Sequence, residues 1–225
     1  MPGLFALSID PTTYKAAFLE DLFFGTFYHQ HLGEAYGGLS TSANGRFQIR
    51  THRGLFRVTF ARDLDGMGGT EGIGYCGSDR EPHFVESRLG KLSACFSGNL
   101  TNLQELVARF KGSGHSFTRG DDIEVITKLL VQGGDAIGGI RTMADQIRGA
   151  FSLILLTEEG IYAVRCPTGQ WPLVIGAKEG AAVVASESGG LRNLGFKRVR
   201  DLEPGEIVLL KNGQCETRGR IPASK

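Results

Sequence analysis

Few residues in this 225-residue chain have side chains suited to catalysis: Cys76, Cys95, Cys166 and Cys215, the histidines His29, His31, His52, His83 and His115, and the acid pair Asp121-Asp122. A cysteine becomes a nucleophile when a base, a cation or a metal stabilises its thiolate. The four cysteines are scattered, with no Cys-x-x-Cys pair and no histidine at metal-ligand spacing, so no zinc or other metal site is expected. Cys76 and Cys95 fall in apolar, strand-like runs, where a thiol acts as a small hydrophobe. A relocated Cys-His pair is the competing reading. The run Gly66-Met67-Gly68-Gly69 lacks the G-x-x-x-x-G-K-[S/T] spacing and the long helix that phosphate binding requires, so it reads as a flexible turn.

The elements that would position such groups centre on residues 92–102, Leu-Ser-Ala-Cys-Phe-Ser-Gly-Asn-Leu-Thr-Asn. Residues 92–96 suit a buried strand, which is expected to break at a Ser97-Gly98-Asn99 turn where Gly98 permits unusual backbone geometry. Thr101 or Asn102 then caps a helix over residues 103–110. Asp121 with Glu124 three residues on matches a capping box, predicting a helix to about residue 131 with Asp122 in its first turn.

Upstream, the pattern predicts a buried strand over residues 3–9 and a helix capped by Thr12 or Thr13 running to about His31. Short strands follow over residues 38–41, 46–50 and 55–58, with an Asn44-Gly45 hairpin turn, then a short helix over 60–64 and a strand over 72–76. Downstream, a helix over 136–147 precedes strands over 150–157, 161–165, 173–177, 181–186, 199–202 and 207–210. Strands, then helices, then strands, without regular βαβ alternation, predict an α+β fold of two stacked antiparallel sheets covered by helices. One domain over residues 1–212 is expected, with 213–225 a C-terminal strand or tail and residues 217–225 reading as frayed.

Composition narrows the function classes. The chain has 25 Lys plus Arg against 24 Asp plus Glu, so no global field draws nucleic acid or an anionic membrane. No apolar run reaches the ~18 residues of a membrane span and no leader pattern opens the chain, which predicts a cytoplasmic protein. At 41% hydrophobic residues it can bury a sizeable core.

Nine segments, in order, resemble motifs of class II glutamine amidotransferases, most closely the glutaminase domain of amidophosphoribosyltransferase. Gln30-His31-Leu32-Gly33 resembles "QHRG", Gly72-Ile73-Gly74-Tyr75 "GIGH", Glu81-Pro82 "QP", Ser97-Gly98-Asn99-Leu100-Thr101-Asn102 "NGNLTN" and Asp121-Asp122-Ile123-Glu124 "SDSE". Gly149-Ala150-Phe151-Ser152-Leu153, the Arg165-Cys166-Pro167-Thr168-Gly169 stretch, Ala185-Ser186-Glu187-Ser188 and Val199-Arg200-Asp201-Leu202 complete the set, similar to "GAYSL", "RDPxG", "ASES" and "VRDV". The resemblance implies the four-layer αββα sandwich of N-terminal-nucleophile hydrolases.

It also implies what is missing. That family uses an N-terminal cysteine whose own α-amine is its base. Here removal of Met1 exposes Pro2, with Gly3 matching the glycine after the cysteine. Leu32 replaces the "QHRG" arginine, and Cys76-Gly77-Ser78-Asp79-Arg80 stands against "VRYST", putting Gly77 where an arginine forks onto the glutamine α-carboxylate. Ser97 replaces the oxyanion-hole asparagine. Gly98, Asn99 and Asp122 remain for residual ligand binding, Asp122 being matched to the holder of the glutamine α-amine. Each has a structural role beside that one: Gly98 as a turn former, Asp122 as a carboxylate favoured at a helix start.

The resulting expectation is a subunit without glutaminase chemistry of its own, similar to stand-alone amidotransferase subunits of glutamate-synthase-like complexes. Its expected partner is a synthase-type subunit or a second copy, with an amino acid as candidate ligand and no cofactor. The alternatives are an active amidohydrolase with a relocated nucleophile, and a metabolite sensor using the old pocket.

Overall fold

A computed structural model describes residues 1–222; the expectation for residues 223–225 lies outside them. The strands are β1 (Gly3–Ile9), β2 (Tyr36–Ala43), β3 (Arg46–Arg53), β4 (Glu71–Gly77), β5 (His83–Ser87), β6 (Gly90–Leu100), β7 (Gly149–Thr157), β8 (Ile161–Arg165), β9 (Val174–Lys178), β10 (Ala181–Ala185), β11 (Lys197–Asp201), β12 (Glu206–Lys211) and β13 (Gln214–Arg220). The helices are α1 (Phe18–Phe27), α2 (Phe56–Phe60), α3 (Leu103–Gly112), α4 (Asp122–Leu130), α5 (Ala136–Gln146) and α6 (Gly189–Asn193). One sheet runs β11-β9-β10-β1-β4-β2-β3 and the other β13-β12-β8-β7-β6-β5, all pairings antiparallel.

Strand β1 shows why the layers stack. All seven of its residues are buried, so it needs cover on both faces. Leu4 and Ala6 pack between the sheets with Tyr75, Ile154 and Val208, whereas Phe5, Leu7 and Ile9 pack outward among Phe18 and Leu22 of α1. On the far side of the second sheet, Phe96, Leu153 and Leu155 meet Ile126, Leu129 and Met143 of α4 and α5. Helices, two sheets and helices again make the four layers, and the expected α+β sandwich is the fold observed.

Several local expectations are corrected. The helix expected from Thr12 begins at Phe18, because Asp10 draws in both threonines: its carboxylate accepts the Thr12 N–H at 2.9 Å and the Thr12 and Thr13 hydroxyls at 2.6 and 3.1 Å. The helix stops at Phe27, and only a single 3-10 turn, Gln30–Leu32, follows. Residues 55–58 are not a strand. Phe56 and Phe60, four apart, stack at 4.5 Å on the buried face of α2 and leave Val58 70% exposed.

The central strand does not break at Ser97. Strand β6 continues to Leu100, pairing Gly98 with Phe151 and Asn99 with Ala150. Gly98 serves close strand approach there, since a Cβ would collide with the Ala150 carbonyl. Asn102 sits at the N-cap position of α3 but gives no side-chain cap; it accepts the Arg148 N–H at 2.9 Å and donates to the Gln146 carbonyl at 2.9 Å. Residues 217–220, expected to fray, belong to β13, where Thr217 pairs with Val208 and donates to Glu206 at 2.7 Å.

Candidate functional site

The end of β4, the middle of β6 and the start of α4 converge beside the first residues of the chain. They enclose a cavity of about 300 Å3 lined by Pro2, Ser78, Asp79, Glu81, Phe96, Gly98, Leu103, Asp121, Asp122 and Ile123. A cleft of about 360 Å3 lined by Arg88, Asp135 and Glu159 gathers none of the candidate residues.

Local geometry fixes each wall. Asp121 caps α4 by accepting the Glu124 N–H at 3.1 Å, which sets Asp122 in the first turn facing β6. The capping box is a variant: Glu124 reaches back to the N–H groups of Thr118, Arg119 and Gly120 at 2.9, 2.8 and 2.9 Å. Asp122 accepts the Leu100 N–H at 3.3 Å. Glu81 is 3% exposed and accepts the Phe96 N–H at 2.6 Å. Ser97, itself buried, donates its hydroxyl to the Pro2 carbonyl at 2.9 Å.

The cavity is acidic. Burial, with a smaller push from Asp79 and Asp121, holds the Glu81 carboxyl well above the ordinary range against the pull of the Phe96 N–H. Burial also raises Asp122, assisted by Asp79 and Asp121 and opposed by Leu100. Arg119 does not line the cavity but is engaged at its edge: its Nε meets Asp121 at 2.9 Å, and its Nη1 donates to the Arg80 carbonyl at 2.7 Å. Arg80 turns away, donating to Thr51 at 3.2 Å.

The structure thus brings Pro2, Gly98 and Asp122 together, with Ser97 hydrogen-bonded beneath Pro2. It leaves out Asn99, which is exposed, and Leu32 and Gly77, which do not line the cavity. Position 77 has no room for a side chain, because a Cβ there would strike the Tyr75 hydroxyl. Asp79 and Glu81 were not singled out from sequence as site residues; the signal was an acid at the serine of "VRYST" and at the glutamine of "QP".

The thiols stand apart from the cavity. Cys76 donates to the Thr26 carbonyl at 3.5 Å, and burial pushes it up to about 12. Burial, with smaller pushes from Glu81 and Cys76, also holds the Cys95 thiol well above its ordinary range. Neither has a histidine partner among the described residues. His29 is buried with Nδ1 at 2.7 Å from the Gly25 carbonyl, and His31 lies outside at 3.0 Å from Glu187. Among the described residues no group of three or more His, Cys, Asp or Glu could hold a metal, and no helix is long and apolar enough to cross a membrane.

Comparison with known proteins gives the family and the fold. A family model described as a glutamine amidotransferase domain matches residues 75–193. The amidophosphoribosyltransferase of Methanocaldococcus jannaschii is 32% identical over 207 residues, 86% of this chain and 44% of that protein. That of Methanothermobacter thermautotrophicus is 32% identical over 94% of this chain and 48% of its own length. The chain spans about half the length of the curated relatives it matches. Among solved structures, the glutamine phosphoribosylpyrophosphate amidotransferase from B. subtilis superposes with a TM-score of 0.88 at 23% identity, over 99% of this chain and 50% of that one. A glutamine aminotransferase class-II domain protein from Silicibacter pomeroyi superposes at 0.62 and 15% identity, over 98% and 100% of the two chains. At these identities the structural likeness concerns the fold.

Proposed function

The chain belongs to the glutamine amidotransferase domain family, and from that premise we propose that its glutaminase site is silent and that the domain serves as a structural or regulatory component of a larger amidotransferase assembly in the cytoplasm. The reading is carried by Pro2, which the motif order sets against the family's cysteine, and by the Ser97 hydroxyl, which is spent on the Pro2 carbonyl; the Ser78 hydroxyl on the cavity wall is likewise engaged, by Asp79. Proline brings no thiol, and no buried cysteine lines the cavity to replace it. Among the described residues no Lys, Arg or His lines the cavity, and Arg119 at its edge is paired with Asp121, which supports the same conclusion, since the α-carboxylate of glutamine would enter it without a cationic side chain.

Company for the domain is supported by the matched relatives, which carry about as much chain again as the part aligned here. The expected partner is a synthase-type subunit or a second copy of this chain. Native purification followed by mass measurement tests it, a monomer under all conditions counting against.

Ammonia release from glutamine, with the protein alone and with candidate synthase subunits, tests the silent site. No release above background is expected. Release at ~1 s⁻¹ or faster, an ordinary enzyme rate, that disappears in Cys76→Ser or Cys95→Ser would establish the relocated-thiol reading instead.

A further inference from the structure

This inference rests on the silent-site reading and names what the retained cavity takes. We propose that the cavity between Pro2, Asp79, Glu81, Gly98 and Asp122 binds a small organic amine as its ammonium ion and turns away amino acids that carry a free α-carboxylate.

Among the described residues, every ionisable side chain lining the cavity is a carboxyl: Asp79, Glu81, Asp121 and Asp122. Against the motif letters of the resemblance, three of these are acids gained, Asp79 and Asp121 at serines and Glu81 at a glutamine, while Gly77 removes a cation. The change is all in one direction. It is also locked in, because the Tyr75 hydroxyl fills the space from which a longer side chain at 77 would emerge.

Glu81 supplies an independent pointer. Its side chain is 3% exposed yet lines the cavity; Oε2 accepts the Phe96 N–H, and Oε1 has no partner among the described residues. That oxygen is not sealed inside the protein but opens on the cavity, where a donor can reach it. An ammonium group is such a donor: one N–H bond can reach Glu81, another a cavity aspartate as a charge-assisted hydrogen bond, and the remaining carboxyls favour its charge from farther off. A carboxylate in the same place would meet acidic side chains and find no Lys, Arg or His among the described residues that line the cavity.

The remaining walls select an organic ion. Phe96, Leu103 and Ile123 provide apolar contact for a short alkyl stem, and about 300 Å3 lies at the small end of the range for small-molecule sites. Bare metal is disfavoured, since no group of three or more potential ligands exists among the described residues.

The test uses 4-aminobutanamide, which is glutamine without its α-carboxylate, titrated calorimetrically into the full chain beside glutamine itself. The amine should bind more tightly than glutamine by about tenfold or more, and Asp122→Asn and Asp79→Asn should each weaken it by about tenfold. Glu105→Gln, in the exposed pair with Arg148 outside the cavity, should leave binding unchanged. Urea unfolding of each variant confirms that it is folded, and Asp79→Asn serves should Asp122→Asn disturb the start of α4. Glutamine binding as tightly as the amine, no heat from the amine at millimolar concentration, or amine binding indifferent to both aspartates would overturn the proposal. The assay reads binding and not turnover, so it fails or succeeds apart from the ammonia assay that tests the silent site.

Discussion

The Tyr75 hydroxyl occupies the space that a side chain at Gly77 would need, and the same hydroxyl accepts the Asp79 N–H at 3.2 Å. Two positions that differ from the family motifs are therefore one packing event. Tyr75 is fully buried between the sheets, so it cannot swing aside to admit a residue at 77.

Gly77→Arg should consequently destabilise the protein by about 1–3 kcal/mol through overpacking, without creating a carboxylate-binding site. Urea denaturation measures the first effect and glutamine titration the second. Adding Tyr75→His should recover part of the loss. A stable Gly77→Arg protein that binds glutamine would show that Tyr75 does not close the position.

Glu206 predicts an acid-limited contribution to stability. Burial alone would raise its carboxyl, but both Arg200 guanidinium nitrogens at 2.7 Å, the Glu203 N–H at 2.9 Å and the Thr217 hydroxyl at 2.7 Å bring it down to about 2. A carboxylate whose folded value lies below its unfolded one stabilises fully above the unfolded value of 4.5 and loses that stabilisation as pH falls toward 2. With Arg200 part exposed, Glu206→Gln should cost about 2 kcal/mol at neutral pH. The difference from the parent should shrink between pH 4.5 and 2 in unfolding curves; a gap constant with pH would sink the assignment.

Much of this fold is legible in the residues because burial and local pattern agree. The apolar run ending at Asp10-Pro11 predicts β1 with the ends observed, and Ile161–Arg165 is likewise read correctly. Legibility fails where a side chain decides between local alternatives. Asp10 captures two threonines that would otherwise cap a helix, and residues 55–58 alternate like a strand until Phe56 and Phe60 stack. Strand β13 has no apolar alternation, because at the sheet edge its stabilisation comes from backbone pairing and from Thr217. For the site, the motif order locates Pro2, Gly98 and Asp122. The acidity of the cavity is less legible, since Asp121 lies about forty residues along the chain from Asp79 and Glu81 and their convergence depends on β6 running on past Ser97 to meet α4.

Ser97→Ala should cost about 1 kcal/mol, the net worth of a typical hydrogen bond, with the Pro2 carbonyl left unsatisfied. Because this hydroxyl is engaged with the chain and not with a substrate, the variant should bind 4-aminobutanamide as the parent does. Chemical denaturation and calorimetry read the two outcomes. A loss of binding larger than the loss of stability would place Ser97 among the ligand contacts.

The last prediction is that Pro2→Cys alone does not restore glutamine hydrolysis. Losing the nucleophile of a cooperating set costs roughly 10⁶ in turnover, and losing one oxyanion donor roughly 10²–10³. The two do not add, yet repairing the first leaves the second in place, because Ser97 replaces the asparagine and its hydroxyl is held by the residue 2 carbonyl. Repair also leaves Leu32, which gives the thiol no support, and Gly77, so the α-carboxylate still enters an acidic cavity unpaired, at a cost of roughly 2–5 kcal/mol in binding. Ammonia release by Pro2→Cys should therefore stay near background at any attainable glutamine concentration, and adding Ser97→Asn should raise it only slightly while Asp79 and Glu81 still face the substrate. Turnover of ~1 s⁻¹ from the single variant would mean that the scaffold had kept its oxyanion and carboxylate sites by means other than the residues at 32, 77 and 97.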